Sequence, residues 1–374
     1  MADGVVPINA IANGCNGNGS TNNSSQIAAM IAKLPAQGGD LFFPAGLYSI
    51  QQTINIPKEG SQYLNVCFVG EGTAVGAAGG QGDFNVAAGP TVLINDVSGG
   101  QPMFRILDDS DPGAGTVVPW YSGGARYITF RQGSGSGSAF HMHALLHSNW
   151  INVAFHGFGA DGFLLEGEVF YTVFYQCSFM STQVRLKSTC MNTSWIGGQF
   201  SRAGSYSAFL MDNTNSWGGT GPTFNSVWLE QNNQHSIDVK GLAGIRLFAV
   251  YFEGNGDDGA GGWAEVMVRV GGDFDTLVYA DACYQRLSNG SVNHSFVKTE
   301  GSGKKVISIN SLETAADSGS GHAIITFGNT NDLATINHAR TSSNGRASNQ
   351  VKLFAGSLPS SGNRLSSQCY WDET

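Results

Sequence analysis

"SVWLEQN" at residues 226–232 and "AVYFEGN" at 249–255 lie 23 residues apart and share one order: Val, aromatic, apolar, Glu, any residue, Asn. A looser copy, "VYAD" at 278–281, comes 28 residues after the second. Alternation of this kind is a strand signature, because successive side chains in a strand point to opposite faces. Three copies at similar spacing mean that one strand recurs once per structural repeat.

The repeat extends upstream. "NVAFHGF" ends at Phe158, "FYQCSF" at Phe179 and "IGGQF" at Phe200, in steps of 21 residues, and Leu229 to Phe252 is 23. A period near 22 is too short for most helical repeats and carries no leucine-rich consensus. It fits one coil of a parallel β-helix, in which short strands alternate with turns and equivalent residues stack about 4.8 Å apart. The expected fold is therefore all-β: a single-stranded right-handed parallel β-helix of about 10–12 coils. Alternation puts Phe179, Phe200, Leu229 and Phe252 inside, with Cys177, Gly198, Val227 and Val250 in the next inner column. Trp228, Tyr251 and Tyr279 then form an outward aromatic column, and Glu230, Glu253 and Asp281 an outward acidic one.

Composition agrees with this reading. Charged residues make up only 13% of the 374, against 52 glycines, which suits a turn-rich β protein. With 41% hydrophobic residues the chain has enough apolar matter for a core and is not a disordered polymer. A net charge of −9 argues against nucleic acid and anionic membranes as partners. No stretch reaches the roughly 18–20 apolar residues of a membrane span, so no membrane insertion is expected. "MADGVVPINAIANGCNGNGS" shows no basic region leading into an apolar core, so no signal peptide is visible. Cys15, Cys67, Cys177, Cys190, Cys283 and Cys369 show no CxxC or metal-like spacing and read as buried free thiols.

"NNSSQIAAMIAKL" (22–34) reads as a short amphipathic helix with Ser24 or Ser25 as N-cap and Ile27, Met30, Ile31 and Leu34 on one side. It is placed to cap the raw end of the β-helix. Gly38 to Tyr48, "GGDLFFPAGLY", follows as Gly-Gly, strand, Pro-x-Gly turn and strand. Here the chain resembles the pectate-lyase-like superfamily, especially phage tailspike-type polysaccharide depolymerases, whose β-helices often open with such a helix and this G-G-x-φ-x-φ-P-x-G-x-Y pattern. The resemblance covers roughly residues 20–315. It divides the chain into an N-terminal segment with capping helix (1–37), a β-helix (38–315) and an irregular C-terminal segment (316–374) that packs on the helix or joins trimer contacts. Loops are expected at 73–100, 108–125, 213–222 and 254–264, and insertions on a solenoid tend to gather on its binding side.

Several other stretches invite chemistry and have plainer readings. His141, His143 and His147 of "HMHALLH" are strand-spaced imidazoles without an acidic neighbour in sequence, and read as satisfied or exposed histidines rather than a metal site. "DDSD" (108–111) is half a calcium loop lacking the remaining ligands, hence a polar turn. "GEGTAVGAAGG" (70–80) precedes no helix and is a loop, not a phosphate cradle.

The acidic column is the strongest candidate. Stacked like charges repel and should raise at least one carboxyl pKa. Aromatic rings beside carboxylates suit sugars, and two acids flanking a glycosidic bond are the hydrolase arrangement. Glu230 and Glu253 on adjacent coils would stand about 5 Å apart, near the retaining separation. Glu230 and Asp281 would stand at about 9.6 Å, in the inverting range. Members of the superfamily with three clustered acids are generally inverting hydrolases, and many are trimers. The resemblance thus implies a homotrimeric glycoside hydrolase acting on a bacterial surface or extracellular polysaccharide, in a virion or outside the cell, with no cofactor. Trp228, Tyr251, Tyr279, His235 and Arg246 are the candidate substrate-binding residues. Two alternatives stand: a polysaccharide lyase eliminating across a uronate, with His235, Arg246 or Lys240 contributing, and a non-catalytic glycan-binding or structural spike.

Overall fold

The computed structural model describes residues 6–73, 90–107, 118–212, 221–232, 235–241, 244–253, 266–273, 275–287, 294–316, 322–328, 332–343, 346–348 and 353–355. The expected turn "DDSD" (108–111) lies outside the described residues, as do most of the loops expected at 73–100, 213–222 and 254–264. Two of the expected loops contain strands: Thr91–Asn95, and Pro119–Tyr121 with the start of Gly124–Gln132.

The chain winds as a parallel β-helix whose strands stack in three long faces. On the first face Ile8–Asn9 pairs with Gly39–Phe43, that strand with Val66–Gly70, and so on through Gly244–Phe248 and Thr276–Asp281 to Lys305–Ala316 and Leu333–Ser343. On the second face the rungs are Asn18–Asn22, Gly46–Ile50, Thr91–Asn95, residues 129–132, 154–156 and 178–180, Gln199–Ser201, Trp228–Glu230, Tyr251–Glu253, Cys283–Leu287, and residues 311–316 and 338–343, twelve among the described residues. The third face runs from Ile54–Asn55 to Leu353–Ala355. A fourth side exists only early, in the stack Gln62–Tyr63, Pro119–Tyr121, Ala144–Leu146, Val169–Phe170 and Cys190–Met191. Among the described residues all ladders but two short ones are parallel.

The inner columns explain why the strands stack. Phe130, Phe155, Phe179 and Phe200 follow one another with ring centroids 5.2, 4.9 and 4.8 Å apart and nearly parallel planes. Phe174, Trp195 and Phe224 form a second inner ladder at 4.8 and 5.2 Å. Each such ring contributes about 1.5–3 kcal/mol by burial, with about 0.5–1.5 kcal/mol more from ring–ring contact. Phe155, not Phe158, is the partner of Phe179, so that coil is 24 residues long rather than 21. Gly157 and Gly159, both at positive φ, break the alternation that made the second Phe of "FHGF" look equivalent.

The corners repeat as well. Tyr127, Asn152, Gln176, Ser226, Ala249 and Ala282, between the first and second faces, all adopt φ of 50–55°. Left-handed backbone costs a non-glycine residue about 1 kcal/mol, and it persists here because paired strands on both sides hold it. Gly198 takes the same region, and a Cβ there would lie 1.9 Å from the Cys177 carbonyl, so this inner-column position cannot carry the valine of Val227 or Val250.

Both expected ends of the β-helix shift outward. Ile8–Asn9 and Asn18–Asn22, within the expected N-terminal segment, already pair with Gly39–Phe43 and Gly46–Ile50. The helix is Ser24–Ile31, following those two strands, and Ile27, Met30, Ile31 and Leu34 join the core. Its N-cap is Asn23 rather than a serine. That side chain makes no cap hydrogen bond and instead ties down Asn16 and Thr21, while Ser24 Oγ accepts from the Gln51 and Gln52 amides. At the other end, His322–Phe327, Leu333–Ser343 and Leu353–Ala355 continue the stacks beyond residue 315. Five cysteines are buried free thiols, and Cys369 lies outside the described residues. Burial pushes the Cys177, Cys190 and Cys283 thiols up to about 12.

Candidate active site on the second face

Trp228–Glu230 follows the left-handed corner at Ser226 and buries Leu229, which turns Trp228 and Glu230 outward. Tyr251–Glu253 repeats this after Ala249, and register pairs Trp228 with Tyr251, Leu229 with Phe252 and Glu230 with Glu253. Asn232 of the shared motif has a structural task. Its Oδ1 accepts from the Ala203 amide at 3.0 Å and its Nδ2 donates to the Phe200 carbonyl at 3.2 Å, fixing the preceding coil's corner.

The third member of each column differs from expectation. The next rung is Cys283–Leu287, so Tyr251 stacks over Tyr284 and Glu253 over Arg286. Tyr279 and Asp281 belong to the first face, where they pair with Arg246 and Phe248. The corner at Ala282 separates the two faces, and "VYAD" matched the motif by residue type from the wrong side of it. Asp281 instead starts a polar ladder, accepting from Asn310 Nδ2 at 2.9 Å, while Asn310 accepts from Asn337 at 3.1 Å. Arg246 is likewise on the first face, and His235 precedes the third-face strand Ile237–Lys240. Of the residues expected at the site, the structure brings together Glu230, Glu253, Trp228 and Tyr251. Asp281, Tyr279, His235 and Arg246 belong to other parts of the coil.

The two glutamates occupy different environments. Glu253 Oε1 accepts from Arg286 Nη1 at 2.8 Å. Glu230 is half-buried, and its carboxyl is held above the usual value by burial and by the Glu253 charge, against the opposing Arg202. Burial and the adjacent Glu253 carboxylate also raise the Tyr251 hydroxyl. A carboxyl pushed toward its protonated form beside a second one paired with a cation is the usual pattern of a paired acid and base.

The aromatic column is stacked on itself. Trp228 and Tyr251 lie 5.0 Å apart at 29°, and Tyr251 and Tyr284 lie 5.0 Å apart at 6°. Both faces of Tyr251 are therefore occupied. Trp228, 50% exposed, ends the ladder with its outer face turned toward the rung of Gln199.

Up the same outward column from Glu230, register gives Ser201, Met180, His156 and Arg131 on successive rungs. Arg202, at the corner after Ser201, donates from its amide to the Glu230 carbonyl at 3.1 Å and from Nε to Gln231 Oε1 at 3.2 Å. Burial, with Arg131 and Arg202 adding to it, holds the His156 imidazole below its ordinary pKa. Arg131, His156, Arg202, Tyr284 and Arg286 escape motif reading because coil lengths from Arg131 onward vary from 21 residues (Ser178 to Gln199) to 33 (Tyr251 to Tyr284). Projecting outward from the inner Phe ladder would have found the first two.

Several charged groups on the third face pair with one another. His141 and Lys187 both reach Glu166 Oε1 at 2.8 Å, and Arg185 bridges Asp161 and Asp212 at 3.0 Å each. Arg269 is paired with Asp238. His147 stacks between Tyr121 and Tyr171 at 6.1 and 4.9 Å. Among the described residues no group of three His, Cys, Asp or Glu is placed to hold a metal ion.

No family profile matches the chain, and no curated protein matches it in sequence. Solved structures do. ORF18 of Geobacillus virus E2 superposes with a TM-score of 0.61 at 15% identity, over 91% of this chain and 61% of that one. The A-module of mannuronan C-5 epimerase AlgE4 from Azotobacter vinelandii gives 0.43 at 14% identity, over 88% of this chain and 99% of its own. The gp42 tailspike of Acinetobacter phage vb_AbaP_AS12 gives 0.43 at 11%, over 96% and 67%. At such identities the likeness is one of fold alone, a parallel β-helix.

Proposed function

We propose that this β-helix is a glycoside hydrolase that depolymerises a bacterial surface or extracellular polysaccharide, with Glu230 as general acid and Glu253 as nucleophile. The observation that carries the reading is the Glu230–Glu253 pair: adjacent rungs, one carboxyl pushed toward its protonated form, the other salt-bridged to Arg286. Protonated Glu230 donates to the glycosidic oxygen as the bond breaks, and Glu253 attacks the anomeric carbon. Glu230, now ionised, then takes a proton from the water that releases the sugar. Adjacent rungs are about 4.8 Å apart, which suits the retaining separation of about 5–5.5 Å. With Asp281 on the first face, the wider, inverting pair loses its partner. Trp228 provides the open aromatic face for a sugar ring.

The viral source of the ORF18 fold accords with a virion or extracellular setting. A homotrimer would cover the largely apolar first face, where Ile151, Tyr175 and Ile196 follow one another in one outward column, with Phe248 beyond Asn225, and Leu277, Val306 and Leu333 form another. The test is incubation with capsular, lipopolysaccharide and exopolysaccharide glycans. New reducing ends without the ultraviolet absorbance of an unsaturated uronate support hydrolysis, that absorbance would mean elimination, and binding without cleavage would mean a glycan-binding spike.

A further inference from the structure

We propose that the glycan bound beside Glu230 is acidic and lies along the helix axis toward the N-terminal coils, its sugar carboxylates held by Arg131, His156 and Arg202. This rests on the site assigned above and names its substrate class.

The chain has 28 acidic residues against 19 basic ones, so an arginine in it readily finds a carboxylate. Arg126, Arg185, Arg269 and Arg286 each do so, with Asp40, Asp161 and Asp212, Asp238, and Glu253. Among the described residues no carboxylate lies within salt-bridge distance of Arg131 or Arg202, although Glu230 and Asp96 are near enough to be influenced by them. Asp96 gives its oxygens to Ser49 and Ser134 instead. Arg131 is the register neighbour of His156, and both guanidiniums are near enough to help keep its imidazole neutral, so it can hydrogen-bond a carboxylate without adding charge. In the same column, Ser201 keeps a buried hydroxyl with no hydrogen-bond partner.

Extent and direction narrow the ligand. From Arg131 to Ser201 is three rung steps, about 14 Å. That is too long for one small anion and suits several consecutive sugars. The exposed face of Trp228 turns toward this strip, so the platform and the cations point the same way from Glu230. Guanidinium groups bind carboxylates through paired hydrogen bonds.

Affinity electrophoresis of the full chain in gels holding polygalacturonate, alginate, hyaluronan, their carboxyl-reduced counterparts, dextran and dextran sulfate tests this without requiring turnover. At least one carboxylate glycan should retard the protein, its carboxyl-reduced form should not, and Arg131→Gln and Arg202→Gln should each weaken retention about tenfold or more. Arg131→Lys should restore part of it. Failure of every carboxylate glycan to bind, equal retention by the reduced form, or equal retention by dextran sulfate would overturn the assignment. The hydrolase reading fails separately. Acidic glycan retained but never cleaved sinks that reading alone, whereas cleavage of a neutral glycan that Glu253→Gln abolishes keeps it and overturns this inference.

Discussion

Glu230 and Glu253 are register partners on adjacent rungs, and of the two only Glu253 forms a salt bridge among the described residues, with Arg286 at 2.8 Å. That asymmetry divides the roles. Glu230→Gln and Glu253→Gln should each lower turnover by about 10²-fold or more, the scale of a lost general acid or base. Arg286→Met should lower kcat, because it removes the cation that holds Glu253 in place. An unchanged kcat in Arg286→Met would remove the division of labour.

Glu230 also sets a pH dependence of stability. Its folded-state pKa is raised by burial and by Glu253, so the folded protein holds this proton more tightly than the unfolded chain does. The stability it contributes is present below the unfolded value for Glu and is lost as pH rises through the folded value. Glu230→Gln should therefore have a Tm equal to or above wild type at pH 8, with the advantage shrinking toward pH 4. A Tm deficit confined to the alkaline side would contradict this sign.

Trp228 and Tyr251 belong to one stacked column but should behave differently. Trp228→Ala removes the open face and should raise KM with little change in kcat. Tyr251, with both faces covered, should report on stability, its alanine variant losing about 1 kcal/mol of ring contact. A larger KM effect at Tyr251 than at Trp228 would show that the glycan lies across the ladder's edge.

The inner ladder was the most legible part of the chain. Phe179, Phe200, Leu229 and Phe252 stand where alternation put them, because large apolar residues in a β-helix have one place to go. Phe179→Ala should cost about 3–5 kcal/mol, measured by denaturant unfolding. Two kinds of information were hidden. A fixed period missed the 33-residue coil from Tyr251 to Tyr284, so the third copy of the motif falls on another face as Tyr279 and Asp281. The C-terminal strands were hidden too, since Leu333–Ser343 is too polar to read as core, yet pairs along its length with Lys305–Ala316. Of the site, the Glu pair and Trp228 were readable as repetition. Arg131, His156 and Arg202 were not, because each falls on a rung with its own coil length.

Assembly is tested at Tyr175 and Ile196, register neighbours on the first-face stripe. Light scattering should give the mass of three chains, and Tyr175→Glu with Ile196→Glu should lower it toward one. A single-chain mass for the wild-type protein at micromolar concentration would contradict the trimer.

The central claim is that Glu230 and Glu253 cleave a glycan with retention. Proton NMR of the first products released from a cleaved polysaccharide, recorded before mutarotation, reads this directly. The account predicts that the new reducing-end sugar carries the anomeric configuration of the bond that was broken, and that Glu253→Gln produces none of it. Inverted product, or full activity in Glu253→Gln, would contradict the account and place the chemistry elsewhere on the helix.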